Sequence, residues 1–143
     1  MFSLSNRLSI IRNGELATRP YIEIKCTKDI QYNKLFFILN QFRQEGIIRG
    51  YSFISIQSTK INKINIFSYK VIIFLKYDEQ GKSVIRTIKQ VSKPGRRKYV
   101  STRSLWQPQT SSGFYLLSTS YGILTDIEAR YYNVGGEVLA SVT

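Results

Sequence analysis

In the first two thirds of the chain, segments with the helical spacing of apolar residues alternate with segments that have the spacing of a strand. One helical stripe runs from Leu4 to Ile11 and is followed by Gly14, and a second runs from Leu35 to Phe42 and is followed by Gly46. Glycine within about one turn after such a stripe is a typical helix end. We therefore predict two helices that stop at these glycines, the second with Asp29 as its N-terminal cap.

Between and after these helices, apolar and polar residues alternate one by one, which is the period of a half-buried strand. Such alternation covers Tyr21 to Cys26 and Tyr51 to Gln57, and a longer strand is predicted from Phe67 to Tyr77. The polar turn Asp78 to Gly81 ends the long strand, and residues Ser83 to Val91 return from it. We predict that the last two segments pair as a hairpin.

The amino-acid composition changes at Ser92. A Pro-Gly pair there is flanked by basic residues, which indicates a linker between two lobes. Beyond it lie short apolar runs, an amphipathic helix near Thr125 to Tyr132 and a strand from Glu137 to Val142. The predicted fold is α+β with two small lobes. Residues 1–91 form a helix-strand-helix-strands lobe, and residues 92–143 form a β-rich lobe with one short helix.

Charge limits the possible functions more than any other bulk property. The chain has 21 Lys and Arg against 9 Asp and Glu, a formal net charge of +12. Such a surplus opposes compaction unless a polyanion neutralises it, and nucleic acid is the commonest polyanion. An acidic protein partner or an anionic membrane surface is the alternative, although no apolar run approaches the length needed to span a bilayer.

The residues that most enzymes need are missing from this sequence. It has no histidine, so the commonest general base and metal ligand are absent, and its carboxylates are scattered. The single cysteine, Cys26, excludes an internal disulfide and is expected to be a small buried apolar residue. We predict no catalytic activity, no metal, no cofactor and no small-molecule substrate.

A basic loop is the first candidate binding element. Lys93, Arg96, Arg97 and Lys98 are followed by Tyr99, on a segment stiffened by a proline. Staggered cations on a rigid loop can meet successive phosphates, and an exposed tyrosine can stack on an unpaired base. The alternative is a solvated basic loop with the tyrosine in the core of the next strand.

A run of hydroxyl residues is the second candidate. Ser118, Thr119 and Ser120 follow an apolar strand and precede Tyr121 and Gly122. Hydroxyl groups both donate and accept hydrogen bonds, so they can read a base edge or a ribose 2′-hydroxyl. The alternative is a turn in which these hydroxyls satisfy the local backbone.

The polar positions of the first helix are the third candidate. They could contact an RNA backbone along one face, and a plain solvated face is the alternative. These positions are Ser5, Asn6, Arg7, Ser9, Arg12 and Asn13.

Taken together, these segments resemble the small ribosomal subunit protein eight family. The match includes SKPGRRKY from Ser92 to Tyr99, STSYGILTD from Ser118 to Asp126 and GGEVL from Gly135 to Leu139. These and weaker segments, such as Ile11 to Gly14 and Gln44 to Ile48, cover nearly the whole chain in family order.

The resemblance implies a structural protein that binds the central domain of small-subunit ribosomal RNA early in assembly and supports translation, beside neighbouring ribosomal proteins. It implies that the Ser118 to Ser120 loop is the main RNA-reading element. It also implies that Tyr99, Gly122 and Glu137 belong to the same RNA-facing surface, with Glu137 orienting the loop or a neighbouring cation.

Some positions depart from the family pattern. Asn6 stands where members usually have aspartate, Ser9 and Ile10 replace a threonine-arginine pair, and Ser112 replaces a leucine before Gly113. A basic contact is therefore missing at Ile10. The Ile, Asn and Lys bias and the lack of a targeting segment favour a mitochondrial ribosome, with a plastid or a bacterial cytoplasm as alternatives.

Overall fold

The computed structural model of the chain describes residues 4–27, 30–61, 64–107 and 112–143, and for residues 30–32, 57–61 and 64–67 it describes the backbone alone. The chain divides into two compact units, Met1–Val84 (unit 1) and Ile85–Thr143 (unit 2). In chain order the elements are α1 (Leu4–Leu16), β1 (Tyr21–Thr27), α2 (Ile30–Gln44), β2 (Ile48–Ile61), β3 (Ile64–Leu75), β4 (Ile88–Gln90), β5 (Tyr99–Val100), α3 (Thr102–Leu105), β6 (Phe114–Thr119), β7 (Gly122–Thr125), α4 (Asp126–Tyr131) and β8 (Gly136–Val142). The predicted α+β fold with two lobes is confirmed.

Unit 1 contains an antiparallel sheet in the order β1-β3-β2. Strand β1 alternates strictly between exposed and buried residues, as its sequence predicts, and Ile22, Ile24 and Cys26 are its buried members. The prediction that Cys26 is a buried, free residue is confirmed. The sheet is therefore half-buried, with its apolar face forming part of the core.

The prediction that helix α1 stops at Gly14 is wrong, because the helix continues to Leu16. A Cβ atom at Gly14 would lie 2.3 Å from the Cγ2 atom of Ile22 in β1. The glycine is there because the helix and the strand approach closely, and this requirement gives the same sequence signal as a helix end. The helix also buries Arg7, which its polar character had placed with the solvent-facing residues.

Helix α2 ends at Gln44, and Gly46 terminates it two residues later, as predicted. The prediction of Asp29 as its cap lies outside the described residues. Gly46 has a positive φ of 73° and its N–H donates to the carbonyl of Arg43. The N–H of Ile47 donates to the carbonyl of Phe42. This pair of bonds is a Schellman motif, which satisfies carbonyls left free at a helix end.

The predicted hairpin between residues 67–77 and 83–91 is wrong. The turn forms, because the Asp78 carboxylate accepts hydrogen bonds from the N–H groups of Gln80 and Lys82, and Tyr77 bridges to Ser83. Strand β4, however, pairs with β8 rather than with β3. This pairing draws residues 85–91 into unit 2, whereas the sequence had assigned them to the first lobe.

Unit 2 is built on a sheet in the order β4-β8-β6-β7, and β5 also pairs with β8. Its core contains Leu105, Leu117, Ala129 and Val138. Strand β7 and helix α3 are additions to the predicted elements. Because β7 follows β6 after a two-residue turn, the hydroxyl run lies at the tip of a β-hairpin.

Candidate nucleic-acid interface

Strand pairing in unit 2 brings distant candidate residues into one row across the sheet. Tyr99 of β5 pairs with Glu137 of β8, Glu137 pairs with Ser118 of β6, and Ser118 pairs with Ile123 of β7. Directly paired residues project from the same face of a sheet. Tyr99 is 71% exposed, so it is not the core residue of the alternative interpretation. The basic loop and the hydroxyl turn therefore flank one surface.

Glu137 connects the basic loop to the sheet. Its Oε1 atom accepts a hydrogen bond from the Ser92 hydroxyl at 2.6 Å and forms an ion pair with Nη1 of Arg97 at 2.9 Å. The buried Ser92 hydroxyl in turn accepts from the N–H of Lys98 at 3.2 Å. Glu137 thus orients a neighbouring cation within the protein. The sequence did not single out Ser92 as a positioning residue, although it lies in the SKPGRRKY segment.

The basic loop is a tight turn with cations at its base. Lys93 and Arg96 exchange two backbone hydrogen bonds of 3.1 and 2.9 Å across the Pro-Gly pair. A groove of about 330 Å³ lies beside this turn. It is lined by Lys89, Gln90, Val91, Lys93, Arg96, Lys98 and Ser141. Four of these residues are cations, and Lys89, which the sequence did not single out, joins them because β4 pairs with β8.

The three hydroxyl residues have different roles in the turn. The Thr119 hydroxyl donates to the carbonyl of Gly122 at 2.9 Å and accepts from the N–H of Tyr121 at 3.2 Å. For Thr119 the turn-stabilising alternative is therefore the one observed. Within the part of the chain that the structure describes, the hydroxyls of Ser118 and Ser120 have no hydrogen-bond partner. These two remain available to a ligand.

Two glycines make this geometry possible. Gly122 has a φ of 106°, which an L side chain rarely adopts, and this conformation closes the turn. A Cβ atom on Gly136 would lie 2.2 Å from the carbonyl oxygen of Ser118. Strands β6 and β8 can therefore meet at Ser118 only because residue 136 lacks a side chain.

Helix α4 fixes the far end of β7. The Thr125 hydroxyl accepts from the N–H of Glu128, and the Glu128 carboxylate accepts from the N–H of Thr125, which together form a capping box. The buried Asp126 carboxylate accepts from the N–H of Tyr115 and pairs with Arg130 at 2.6 Å. The T-x-x-E spacing is a sequence signal for this box.

The helical candidates lie in unit 1, on α1. Asn6, Arg12 and Asn13 are exposed and Ser5 is half-buried. The carbonyl of Ser5 accepts a hydrogen bond from the Ser9 hydroxyl at 2.9 Å. Of the six predicted positions on this helix, four are exposed and thus accessible to a ligand, whereas Arg7 is buried: the exposed ones are Asn6, Ser9, Arg12 and Asn13.

Two further observations concern metals and membranes. In residues 4–27, 30–61, 64–107 and 112–143, there is no group of three or more acidic or cysteine side chains that could hold a metal ion. None of the helices described is both long enough and apolar enough to cross a bilayer.

Comparison with known proteins decides the family. The family model described as ribosomal protein S8 matches residues 3–143. The chain belongs to the ribosomal protein S8 family. Among its relatives are proteins named small ribosomal subunit protein uS8 from Agrobacterium fabrum, 47% identical over 97% of this chain and 95% of that protein, and from Rhizobium etli, 41% identical over the same shares. The relative of that name from Salinibacter ruber is 36% identical over 97% of this chain and 94% of that protein.

Membership of the S8 family confirms the resemblance drawn from the SKPGRRKY and STSYGILTD segments. It also places the chain in a family of structural ribosomal proteins rather than of enzymes.

Proposed function

We propose that this chain is a structural constituent of the small ribosomal subunit and that unit 2 binds the central domain of small-subunit ribosomal RNA. In this role it supports assembly of the subunit and translation. Family membership supports the ribosomal role, and the small-subunit assignment follows the names of the relatives. The observation that carries the RNA-binding proposal is the row from Tyr99 through Glu137 to Ser118, which joins the basic loop to the hydroxyl turn.

Phosphate binding is assigned to the cations of the basic loop. Unit 2 has eight Lys and Arg against three Asp and Glu. All three carboxylates have partners inside the protein: Asp126 binds Arg130, Glu128 caps α4, and Glu137 binds Arg97 and Ser92. The surface therefore presents positive charge without a free carboxylate to repel phosphate. Lys93, Arg96 and Lys98 line the groove beside the loop, whereas Arg97 is held by Glu137.

Selection among RNA sites is assigned to the hydroxyl turn. Ser118 and Ser120 offer hydroxyls that can donate to or accept from a base edge or a 2′-hydroxyl. Thr119 and Gly122 hold the turn in shape, and Tyr121 is one of the two residues that form it. Phosphate contacts thus supply affinity and position, and the hydroxyls supply discrimination.

Unit 1 adds contacts to the RNA backbone through α1. Ser5, Asn6, Arg12 and Asn13 offer hydroxyl, amide and guanidinium donors along this helix. Such contacts position a protein on RNA without reading its sequence.

The proposal includes neighbouring small-subunit ribosomal proteins as partners, since the relatives are named as components of that subunit. A mitochondrial ribosome is proposed as the location on the Ile, Asn and Lys bias, as in Lys60 to Ile66. The relatives reported above are bacterial proteins, so they do not favour a mitochondrion over a bacterial cytoplasm.

Filter binding at fixed salt tests the hydroxyl turn, with a transcript of the central domain of small-subunit ribosomal RNA as the ligand. Ser118→Ala and Ser120→Ala are each expected to weaken binding by about 1–3 kcal/mol, because a polar RNA group loses its partner in a desolvated interface. Ser112→Ala is the matched control, since Ser112 is an exposed serine at the opposite end of β6. Wild-type affinity in both turn variants would remove the turn from the interface.

The salt dependence of the same affinity tests the basic loop. Each cation that meets a phosphate releases counterions, so Arg96→Ala is expected to reduce the slope of log affinity on log salt by about one. Lys82→Ala, an exposed lysine in the turn of unit 1, is the control and should leave the slope unchanged. A wild-type slope near zero would contradict electrostatic binding altogether.

A further inference from the structure

Three exposed tyrosines form a ring cluster next to the hydroxyl turn. The rings of Tyr121 and Tyr132 are stacked, with centroids 5.7 Å apart and an interplanar angle of 25°. The ring of Tyr131 meets that of Tyr132 edge to face, with centroids 5.3 Å apart and an angle of 83°. Tyr121, Tyr131 and Tyr132 are nevertheless 68%, 84% and 52% exposed. The cluster is therefore ordered by its own contacts but leaves most of its aromatic surface uncovered.

The backbone holds this cluster in place from two directions. Tyr121 belongs to the turn between β6 and β7, and its N–H donates to the Thr119 hydroxyl. Tyr132 caps the C-terminal end of α4, where its N–H donates to the carbonyl of Glu128. Because α4 begins in the capping box directly after β7, the hairpin tip and the helix end are fixed relative to each other within unit 2. The stacked pair is thus formed before any ligand arrives.

We propose that Tyr121, Tyr131 and Tyr132 form a stacking platform for an unpaired base of the RNA held at the hydroxyl turn. This inference rests on the function proposed above and extends it to an unpaired nucleotide beside the turn. The ring of Tyr121 stacks on Tyr132 and its side chain is 68% exposed, so the face turned away from Tyr132 is the one assigned to the base. A base on that face continues the two-ring stack as a third layer.

Two observations favour RNA over a protein as the occupant. The platform is continuous with the turn, because Tyr121 directly follows Ser120 in it. The carboxylates of unit 2 all bind partners inside the protein, so no free carboxylate repels an anionic ligand there. A base with its phosphate fits a surface that combines open rings with unopposed cations.

The test compares Tyr121→Leu, Tyr121→Phe and Ile127→Ser in filter binding with the same central-domain transcript. Loss of stacking on one base lowers affinity about 5- to 150-fold in Tyr121→Leu, because leucine keeps apolar surface but has no π-face. Tyr121→Phe keeps the aromatic ring and should bind the transcript with wild-type affinity. Ile127 is exposed on α4, one turn before Tyr131, and Ile127→Ser is the control that leaves affinity unchanged. Thermal unfolding confirms that each variant is folded.

Each outcome separates this inference from the function on which it rests. If Ser118→Ala weakens binding and Tyr121→Leu does not, the RNA interface stands and the platform is wrong. If Tyr121→Leu and Ile127→Ser lower affinity equally, the surface is a general apolar docking site and stacking is contradicted. If the wild-type chain does not bind the transcript, both proposals fail.

Ultraviolet crosslinking provides an independent readout of contact. Crosslinks from Tyr121 or Tyr131 to RNA are expected by mass spectrometry, since a stacked ring and base lie in van der Waals contact. Crosslinks confined to other residues of unit 2 would overturn the platform and leave the RNA interface intact.

Discussion

Glu137→Gln removes one charge at the junction of the basic loop and the sheet, with almost no change in shape. The glutamine oxygen can still accept from the Ser92 hydroxyl, but that bond is no longer charge-assisted, which costs about 1 kcal/mol. The ion pair with Arg97 also disappears, and because Arg97 is exposed this contributes at most about 1 kcal/mol. The expected destabilisation of unit 2 is therefore about 1–2 kcal/mol.

Hydrogen exchange measures this change in unit 2 separately from unit 1. The β8 amides that exchange through opening of unit 2 are expected to exchange about 5- to 30-fold faster in Glu137→Gln, while those of β3 keep their wild-type rates. Glu23→Gln is the matched control, because Glu23 pairs with Lys70 at 2.7 Å in unit 1. It should leave β8 unchanged. Wild-type exchange of β8 in Glu137→Gln would refute the positioning role of this carboxylate.

Three further changes test other parts of the account. Gly136→Ala places a Cβ atom against the Ser118 carbonyl and should lower the free energy of unfolding by about 1–3 kcal/mol in thermal unfolding. Gly95→Ala is the control and should not lower it, because Gly95 has open space around it. The same stability in both variants would show that β8 can move to accommodate the methyl group. Thr125→Ala removes the cap of α4 and should lower the free energy of unfolding by about 1–2 kcal/mol in the same assay. Thr125→Ser keeps the hydroxyl and should recover most of that stability, and a serine variant as unstable as the alanine variant would contradict the capping role. Burial raises the pKa of the Glu15 carboxyl from 4.5 to about 7. Between these two pH values the carboxyl therefore keeps its proton in the folded protein and releases it in the unfolded chain. The urea midpoint of unit 1 should therefore fall as the pH rises from 4.5 through 7, and Glu15→Gln should abolish that fall; an identical pH profile in the variant would contradict it.

The sequence predicts local structure well where a single local cause produces the signal. Gly46 ends α2 because a positive φ is needed at that one position. Gly14 carries the same signal for a different reason, the approach of Ile22 from β1, and this contact is not visible in the local pattern. The pairing of β4 with β8 likewise depends on a strand about fifty residues away.

The candidate site shows the same limit. Segment composition indicated the basic loop and the hydroxyl turn, and family resemblance added Glu137. The division of labour among Ser118, Thr119 and Ser120 could not be predicted, because it depends on which hydroxyl faces the Gly122 carbonyl once the hairpin closes. Lys89 was missed because only strand pairing brings it to the basic groove.

The most direct measurement is an experimental structure of this chain bound to the central domain of small-subunit ribosomal RNA. We predict nucleotide atoms at hydrogen-bond distance, about 2.7–3.2 Å, from the hydroxyls of Ser118 and Ser120, with phosphates beside Lys93 and Arg96. A complex in which the Ser118 to Gly122 turn faces solvent or another protein, with the RNA held elsewhere, would contradict it.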